Sequence, residues 1–282
     1  MKVITQEEYN TFPIIDGYKQ CPSGNYTQIK YLGECCIFDD DCIFGSFTNF
    51  LRGCLFGKKC IFGDNCNFIQ MCSFRSYCSF EKCCNFGKCC SFGECCIFGS
   101  NCSFSTGCDF GKYSRFGECC DFGECCYFGR YCILGECCNF GKYSCFYKYC
   151  SFGSHCSFGA KCTLGQDGVF EKDCSFGKYC KFNEGCSFGE CCSFGEGCIF
   201  EGKCIVENEH ITKDRYPLLC FSGIGSVHGT TYFFNCEAGI LVRCGDFFGT
   251  IEQFREQVKE NKTSTITKEY LMISDLVEMK WR

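Results

Sequence analysis

A large apolar residue recurs at every sixth position of this chain from Leu32 to Val206, without a single insertion or deletion. Phenylalanine fills 26 of these 30 positions, and cysteine fills 25 of the 29 positions that lie four residues further on. Six is a multiple of the two-residue period of a β-strand, so both sets of side chains point to one face. In an α-helix the same spacing would not align the phenylalanines in a stripe. The pattern therefore predicts a solenoid of short strands.

The repeating unit is Phe-Gly-x-x-Cys-x, in which glycine follows the apolar residue at 19 of the 30 positions. This unit resembles the hexapeptide repeat of left-handed parallel β-helices, in which an aliphatic residue, a glycine and a small residue recur in this order. The resemblance implies three hexapeptides in each coil. We expect a mostly β fold: a left-handed parallel β-helix solenoid over 26–206, plus a small C-terminal α+β module. Each glycine suits a corner with positive φ, and the inward cysteines fill the core as small hydrophobic side chains.

Other patterns flank the repeat. Thr5 and Glu8 match a capping box, which predicts a short helix over 6–11 within an N-terminal cap formed by residues 1–25. The polar stretch 207–215 predicts a linker, and a C-terminal module follows it over residues 216–282. Within the module we expect strands over 216–221, 230–235 and 240–244, a helix that begins at Thr250, and a second helix over 267–279.

The module contains two distinctive segments, Gly-Thr-Thr-Tyr-Phe-Phe from Gly229 and Arg-Cys-Gly-Asp-Phe-Phe-Gly-Thr from Arg243. With these segments it resembles the tail of Cys/Phe-rich hexapeptide proteins of gut bacteria and their phages, a group whose function is unsettled. The resemblance implies a bacterial or mobile-element origin. It implies no mechanism.

Composition excludes several classes of protein. The chain has 282 residues, a net charge of −5 and 46% hydrophobic residues, which is unlike a disordered chain. It has no apolar run long enough for a membrane span, and no excess of lysine and arginine that would favour general nucleic-acid binding. No secretory signal follows Met1, so we expect a cytoplasmic location, where the 38 cysteines stay reduced.

Two sets of outward side chains are candidates for chemistry. Eight cysteines lie three residues after the apolar position, and the coil length implied by the repeat places Cys119 directly under Cys137. We expect these two to be close enough for a labile cross-link under oxidation. Tyrosines in the same class of position form either a binding strip or a cover for the corners: Tyr77, Tyr113, Tyr131, Tyr143, Tyr149 and Tyr179.

The module offers a second candidate site, for a small ligand or a nucleotide. Its candidate binding residues are Ser226, His228, Thr230, Arg243 and Asp246. Cys220, His228, Cys236 and Cys244 recur every eight residues, but a hairpin between the last two would separate them by about 13 Å. That distance is too long for one tetrahedral zinc ion, so we expect no metal site and no cofactor.

The features together favour a non-enzymatic binding protein, in which a rigid solenoid carries a C-terminal recognition module. We expect a protein partner, with a small nucleotide as an alternative ligand, and a monomer or small homo-oligomer. One alternative is a hexapeptide-type acyltransferase, although none of the three histidines has a recognisable catalytic setting. Another alternative is a thiol-based store for metal or redox equivalents, suggested by the cysteine content alone.

Overall fold

The computed structural model describes residues 1–29, 31–207, 210–213, 217–223, 230–260 and 264–281. Within these residues the chain begins with helix α1 (Gln6–Thr11) and continues as a parallel β-solenoid with three sheets. A four-stranded antiparallel sheet follows, and then helices α2 (Ile251–Glu260) and α3 (Ser264–Trp281). The fold is therefore mostly β, with a small C-terminal α+β module, as the sequence predicts.

Each sheet of the solenoid takes one short strand from each coil. The strands of sheet 1 are Ile14–Ile15, Tyr18–Cys21, Cys36–Phe38, Leu55–Phe56, Ser73–Phe74, Ser91–Phe92, Asp109–Phe110, Tyr127–Phe128, Cys145–Phe146, Thr163–Leu164, Lys181–Asn183 and Ile199–Glu201. The strands of sheet 2 are Ile43–Phe44, Ile61–Phe62, Ser79–Phe80, Ile97–Phe98, Arg115–Phe116, Ile133–Leu134, Ser151–Phe152, Val169–Phe170, Ser187–Phe188, Ile205–Val206 and His210–Ile211. The strands of sheet 3 are Tyr31–Leu32, Asn49–Phe50, Asn67–Gln70, Asn85–Lys88, Ser103–Phe104, Asp121–Phe122, Asn139–Phe140, Ser157–Phe158, Ser175–Phe176 and Ser193–Phe194.

The register of the parallel strands confirms that one coil contains three hexapeptides. Phe74 pairs with Phe92 and Phe86 pairs with Phe104, so equivalent positions of successive coils are 18 residues apart. The phenylalanines stack in columns along the solenoid: the rings of Phe86 and Phe104 are 4.8 Å apart and 3° from parallel. Within a coil, neighbouring rings meet edge to face, as between Phe86 and Phe92. Both arrangements are favourable for aromatic pairs, so the core is a regular aromatic lattice.

The inward cysteines are buried between these columns, and their thiols bind backbone carbonyl groups. The Sγ atom of Cys120 donates to the Gly99 carbonyl of the preceding coil at 3.5 Å. Ser144 replaces a cysteine, and its shorter hydroxyl donates instead to the Gly141 carbonyl of its own coil at 2.9 Å. A thiol is thus small enough for the core and still satisfies a buried acceptor, because it is a weak donor with a long reach.

The expected reason for the glycines is wrong. Positive φ falls two residues later, at non-glycine corner residues such as Cys119 and Tyr131, with φ of 56° and 59°. The glycine after the phenylalanine is instead required because successive coils approach closely at the corner. A Cβ atom on Gly141 would lie 2.4 Å from the carbonyl carbon of Gly123 in the coil below. Backbone packing between coils therefore selects glycine at this position.

Both ends of the solenoid are covered. The capping box of α1 is present, with Thr5 and Glu8 in their expected roles, and the hydroxyl of Tyr9 lies 3.2 Å from the thiol of Cys36 in the first coil. At the other end, the stretch predicted as a linker contributes the strand His210–Ile211, which pairs antiparallel with the last strand of the repeat. These contacts pair or cover edges that would otherwise be open to association.

The C-terminal module consists of a sheet, called sheet 4, and two helices. The strands of sheet 4 are Leu218–Ser222, Thr230–Cys236, Gly239–Cys244 and Phe247–Thr250. Thr250 and Gln253 form the predicted reciprocal cap of α2. The second core, between sheet 4 and the helices, contains Phe233, Val242, Ile251, Phe254, Val258 and Val277. No helix in the described ranges has both the length and the apolar character needed to cross a membrane.

Candidate functional site

Sheet 4 meets the solenoid through one of its two faces, and Arg243 belongs to that contact. The rings of Tyr232 and Phe234 each lie 6.4 Å from the ring of Phe194 in the solenoid. Tyr232 and Arg243 are paired across neighbouring strands, so their side chains leave the sheet on the same side. The other face of the sheet carries Phe233 against α2 and α3. The module therefore packs against the solenoid through the face of sheet 4 that carries Tyr232 and Phe234.

Arg243 is buried in this contact and is only 9% exposed. Its Nη1 atom donates to the Cys192 carbonyl oxygen at 2.8 Å, and its guanidinium forms an ion pair with Glu207. Burial lowers the pKa of Arg243, but arginine has so high an ordinary pKa that it keeps its charge. The residue predicted to bind a ligand therefore ties the module to the last coil.

The three candidate binding residues that the structure describes, Thr230, Arg243 and Asp246, do not converge on one cavity. Thr230 shares a hydrogen bond of 2.8 Å with Ser222 and lines a cavity of about 610 Å³ on one side of the junction. Arg243 and Asp246 line a different cavity, of about 390 Å³, together with His210. The two remaining candidates, Ser226 and His228, lie outside the described residues.

The outward cysteines Cys119 and Cys137 occupy the same corner on consecutive coils, as predicted, and both are exposed. The corner continues with His155 and Asp173, whose Nδ1 and Oδ2 atoms are 3.8 Å apart. Desolvation and the adjacent Cys119 raise the pKa of Cys137. Since only the thiolate is a good nucleophile, a raised pKa lowers the reactive fraction of Cys137 at neutral pH. The proximity of the two cysteines permits the predicted cross-link, which stays a prediction.

The buried thiols offer no preformed metal centre. All 38 cysteines lie in the described part of the chain, and each is free. Among the described residues, no group of three histidine, cysteine, aspartate or glutamate side chains is arranged to hold a metal ion. Hydrogen bonding with Cys120, together with burial, raises the pKa of Cys138 to about 12, and burial raises the pKa of Cys236 to about 12. A raised pKa disfavours metal binding by these two thiols, because a metal requires the thiolate.

Three of the outward tyrosines form a stacked ladder on one corner. The rings of Tyr113 and Tyr131 are 5.0 Å apart and 4° from parallel, and those of Tyr131 and Tyr149 are 4.8 Å apart. The Nζ atoms of Lys112 and Lys148 lie 5.9 and 5.3 Å from the centres of the first and last rings. The tyrosines therefore form a continuous aromatic strip with cations beside it.

A notch beside this ladder escaped the sequence analysis. It has a volume of about 510 Å³, and Tyr147, Gly165 and Asn183 follow one another along its corner. These three residues occupy the position after the apolar residue in successive coils, where glycine is usual. The notch forms because a bare glycine lies between two residues that carry side chains. Two breaks in the glycine pattern, one coil above and one coil below Gly165, are visible in the sequence, and the same pattern also surrounds Gly57, Gly87 and Gly189.

Helix α3 exposes a separate apolar stripe. Met272, Leu276 and Met279 are 66%, 56% and 74% exposed, and their spacing places them on one side of the helix. The opposite side carries the buried residues Ser274 and Val277. An exposed stripe of large apolar side chains on an ordered helix is typical of an interaction surface.

Comparison of the chain with protein-family models, with curated proteins and with solved structures found no match. The fold alone therefore defines the class: a parallel β-solenoid of regular repeats with an α+β module packed on its C-terminal end. The left-handed hexapeptide family stays a prediction.

Proposed function

We propose that this chain is a non-enzymatic interaction protein, in which the solenoid is a rigid support and the C-terminal module is the recognition element. The observation that carries the proposal is the exposed stripe Met272, Leu276 and Met279 on α3. A helix with anchors at this spacing fits the apolar groove of a partner protein. Methionine is well suited to such a surface because its flexible side chain adapts to the partner.

The way in which the module is held supports this role. The packing of Tyr232 and Phe234 on Phe194, and the buried Arg243, restrict movement of sheet 4 against the last coil. Helix α3 packs on the far side of that sheet, and its stripe Met272, Leu276 and Met279 is exposed. A surface that is already ordered loses less conformational entropy when it binds.

The resemblance to hexapeptide proteins of gut bacteria and their phages supports a host protein as the partner. The acyltransferase alternative has no comparable support in the described contacts. His155 lies on an exposed corner beside Asp173, and the repeat contains no inserted loop that would build a cleft next to it.

Retention of host proteins by the immobilised full chain tests the proposal. Met272→Glu combined with Leu276→Glu is expected to abolish retention of the partner, because two charges would enter an apolar contact. Lys259→Glu is the matched control, since it makes the same change in net charge at an exposed site on α2. Equal retention of the partner by the Met272→Glu/Leu276→Glu variant and by the Lys259→Glu control would refute recognition through α3. Absence of specific retention by the unaltered chain would refute it as well.

A further inference from the structure

The notch at Gly165 is a built feature of the solenoid and has no part in the proposed function of α3. Tyr147 forms its lower wall, Asn183 its upper wall, and the Gly165 backbone its floor. A Cβ atom on Gly165 would lie 2.5 Å from the carbonyl carbon of Tyr147, so the floor is confined to glycine. The volume of about 510 Å³ lies within the range typical of small-molecule sites.

The residues next to the walls give the notch a positive end and a negative end. The column that contains Tyr147, Gly165 and Asn183 has a neighbouring column one residue further along the chain. In successive coils this neighbouring column contains four residues that line the cavity: Arg130, Lys148, Gln166 and Glu184. From Arg130 to Glu184 the row spans three coils, or about 14 Å. A ligand that follows this row therefore meets cations first, then an amide, and then a carboxylate.

The two cations are available for an anion. Among the described residues, neither Arg130 nor Lys148 forms an ion pair or a side-chain hydrogen bond. Lys148 makes a cation–π contact with Tyr149. Lys112, the equivalent residue of the coil before Arg130, is instead paired with Glu94 at 3.3 Å. An arginine and a lysine side by side without acidic partners match the geometry and charge of a phosphate group.

The other end of the notch is suited to hydrogen-bond donors. Glu201 is paired with Lys181 at 2.9 Å, whereas Glu184 has no ion pair among the described residues. The carboxylate of Glu184 and the amide of Asn183 can accept hydrogen bonds from hydroxyl or amino groups, and the carboxylate repels a second anion. Between the two ends, Tyr147 offers an aromatic ring on which a planar group can stack.

We propose that this notch binds a nucleoside phosphate. The phosphate lies at Arg130 and Lys148, and the base stacks on Tyr147 above the Gly165 backbone. The sugar hydroxyls or exocyclic amino groups of the ligand reach Asn183 and Glu184. Inorganic phosphate would use only the cations, and an uncharged aromatic molecule would use only the tyrosine. A nucleoside phosphate uses every feature of the notch, as a free nucleotide or as part of a single strand.

Calorimetric titration of the full chain with AMP, ATP, inorganic phosphate and a short single-stranded oligodeoxyadenylate tests this inference. Tyr147→Gly removes the lower wall and restores the residue that is usual at this position, so the coil is expected to fold. Arg130→Ala combined with Lys148→Ala removes the positive end. Each change is expected to weaken nucleotide binding by about 10- to 100-fold. Circular dichroism of each variant checks that the fold is retained.

Two matched variants serve as controls. Arg75→Gly restores glycine at the same corner four coils earlier, and Lys112→Ala removes the cation that is already paired with Glu94. Both are expected to leave the affinity unchanged. Tighter binding of the oligonucleotide, with the same dependence on Tyr147, would identify a single strand as the source of the nucleotide. Lack of binding by AMP, ATP and the oligonucleotide, equal affinity for inorganic phosphate, or an equal loss in the controls would overturn the proposal.

Discussion

Replacement of Arg243 by methionine tests whether the buried guanidinium holds the module on the solenoid. Arg243 is 9% exposed, donates to the Cys192 carbonyl oxygen at 2.8 Å, and balances the charge of Glu207, whose side chain is 8% exposed. The variant would therefore leave a buried carboxylate without its counterion.

The expected cost follows from that burial. Removal of one partner of a buried ion pair costs about 3–5 kcal/mol, mostly because the other charge is left uncompensated. Arg255 provides the comparison within the same module, because its partners Asp275 and Glu278 are 70% and 20% exposed and both keep contact with solvent when the guanidinium is removed. An ion pair of that kind contributes only about 0.2–1 kcal/mol. Arg243→Met is therefore expected to destabilise the junction by several times as much as Arg255→Met.

Amide hydrogen exchange measures the destabilisation at the junction itself, because a repeat protein unfolds locally, segment by segment. The amides of Thr212 and Lys213 donate to the carbonyl groups of Cys204 and Asn235, one in the last coil and one in sheet 4. Protection of these two amides from hydrogen exchange is expected to fall in Arg243→Met. It is expected to recover in the double variant Arg243→Met with Glu207→Gln, because the buried carboxylate is then replaced by an uncharged amide. No recovery in the double variant, or an equal loss in Arg255→Met, would refute the reasoning.

Three further outcomes are expected. Gly141→Ala places a Cβ atom 2.4 Å from the Gly123 carbonyl carbon and is expected to lower the free energy of unfolding by about 1–3 kcal/mol in denaturant. A Cβ atom on Gly33 would meet nothing nearer than the Tyr9 hydroxyl oxygen at 3.6 Å, so Gly33→Ala is expected to leave the free energy of unfolding unchanged. Equal destabilisation by the two variants would contradict the conclusion that close packing between coils selects glycine. Thiol titration of the native protein is expected to detect only outward cysteines, and all 38 after denaturation; full reactivity of the native protein would mean that the core opens. Cross-linking of Cys119 and Cys137 by diamide should accelerate as the pH rises towards the raised pKa of Cys137, and a rate independent of pH would argue against thiolate attack.

Much of the fold follows from the sequence because the repeat is so regular. A period of six specifies the inward face of every strand, and the structure confirms it in the burial of Phe74 and Phe92. The reason for the glycines did not follow, because backbone conformation and the approach of neighbouring coils both select glycine. Only the distance from Gly141 to the coil below distinguishes the two reasons.

The candidate site was harder to predict than the fold. Arg243 is a polar residue in an apolar strand, and the sequence does not show whether that side of the strand meets solvent or the solenoid. The structure pairs it with Glu207, a residue within the predicted linker. The notch, by contrast, is encoded in the predicted coil length. Tyr147, Gly165 and Asn183 are successive residues of one column, and this is one of four places in the repeat where a glycine has a departure from glycine on either side.

The regular interior determines where specific sites arise in this solenoid. Nearly every coil contributes the same phenylalanines and cysteines to the core, so the interior does not distinguish one coil from another. The backbone holds the corners at a constant spacing, and a corner glycine leaves only backbone at the surface. A binding site therefore requires a coil that departs from the glycine rule next to one that keeps it. Tyr147 beside Gly165 meets this requirement.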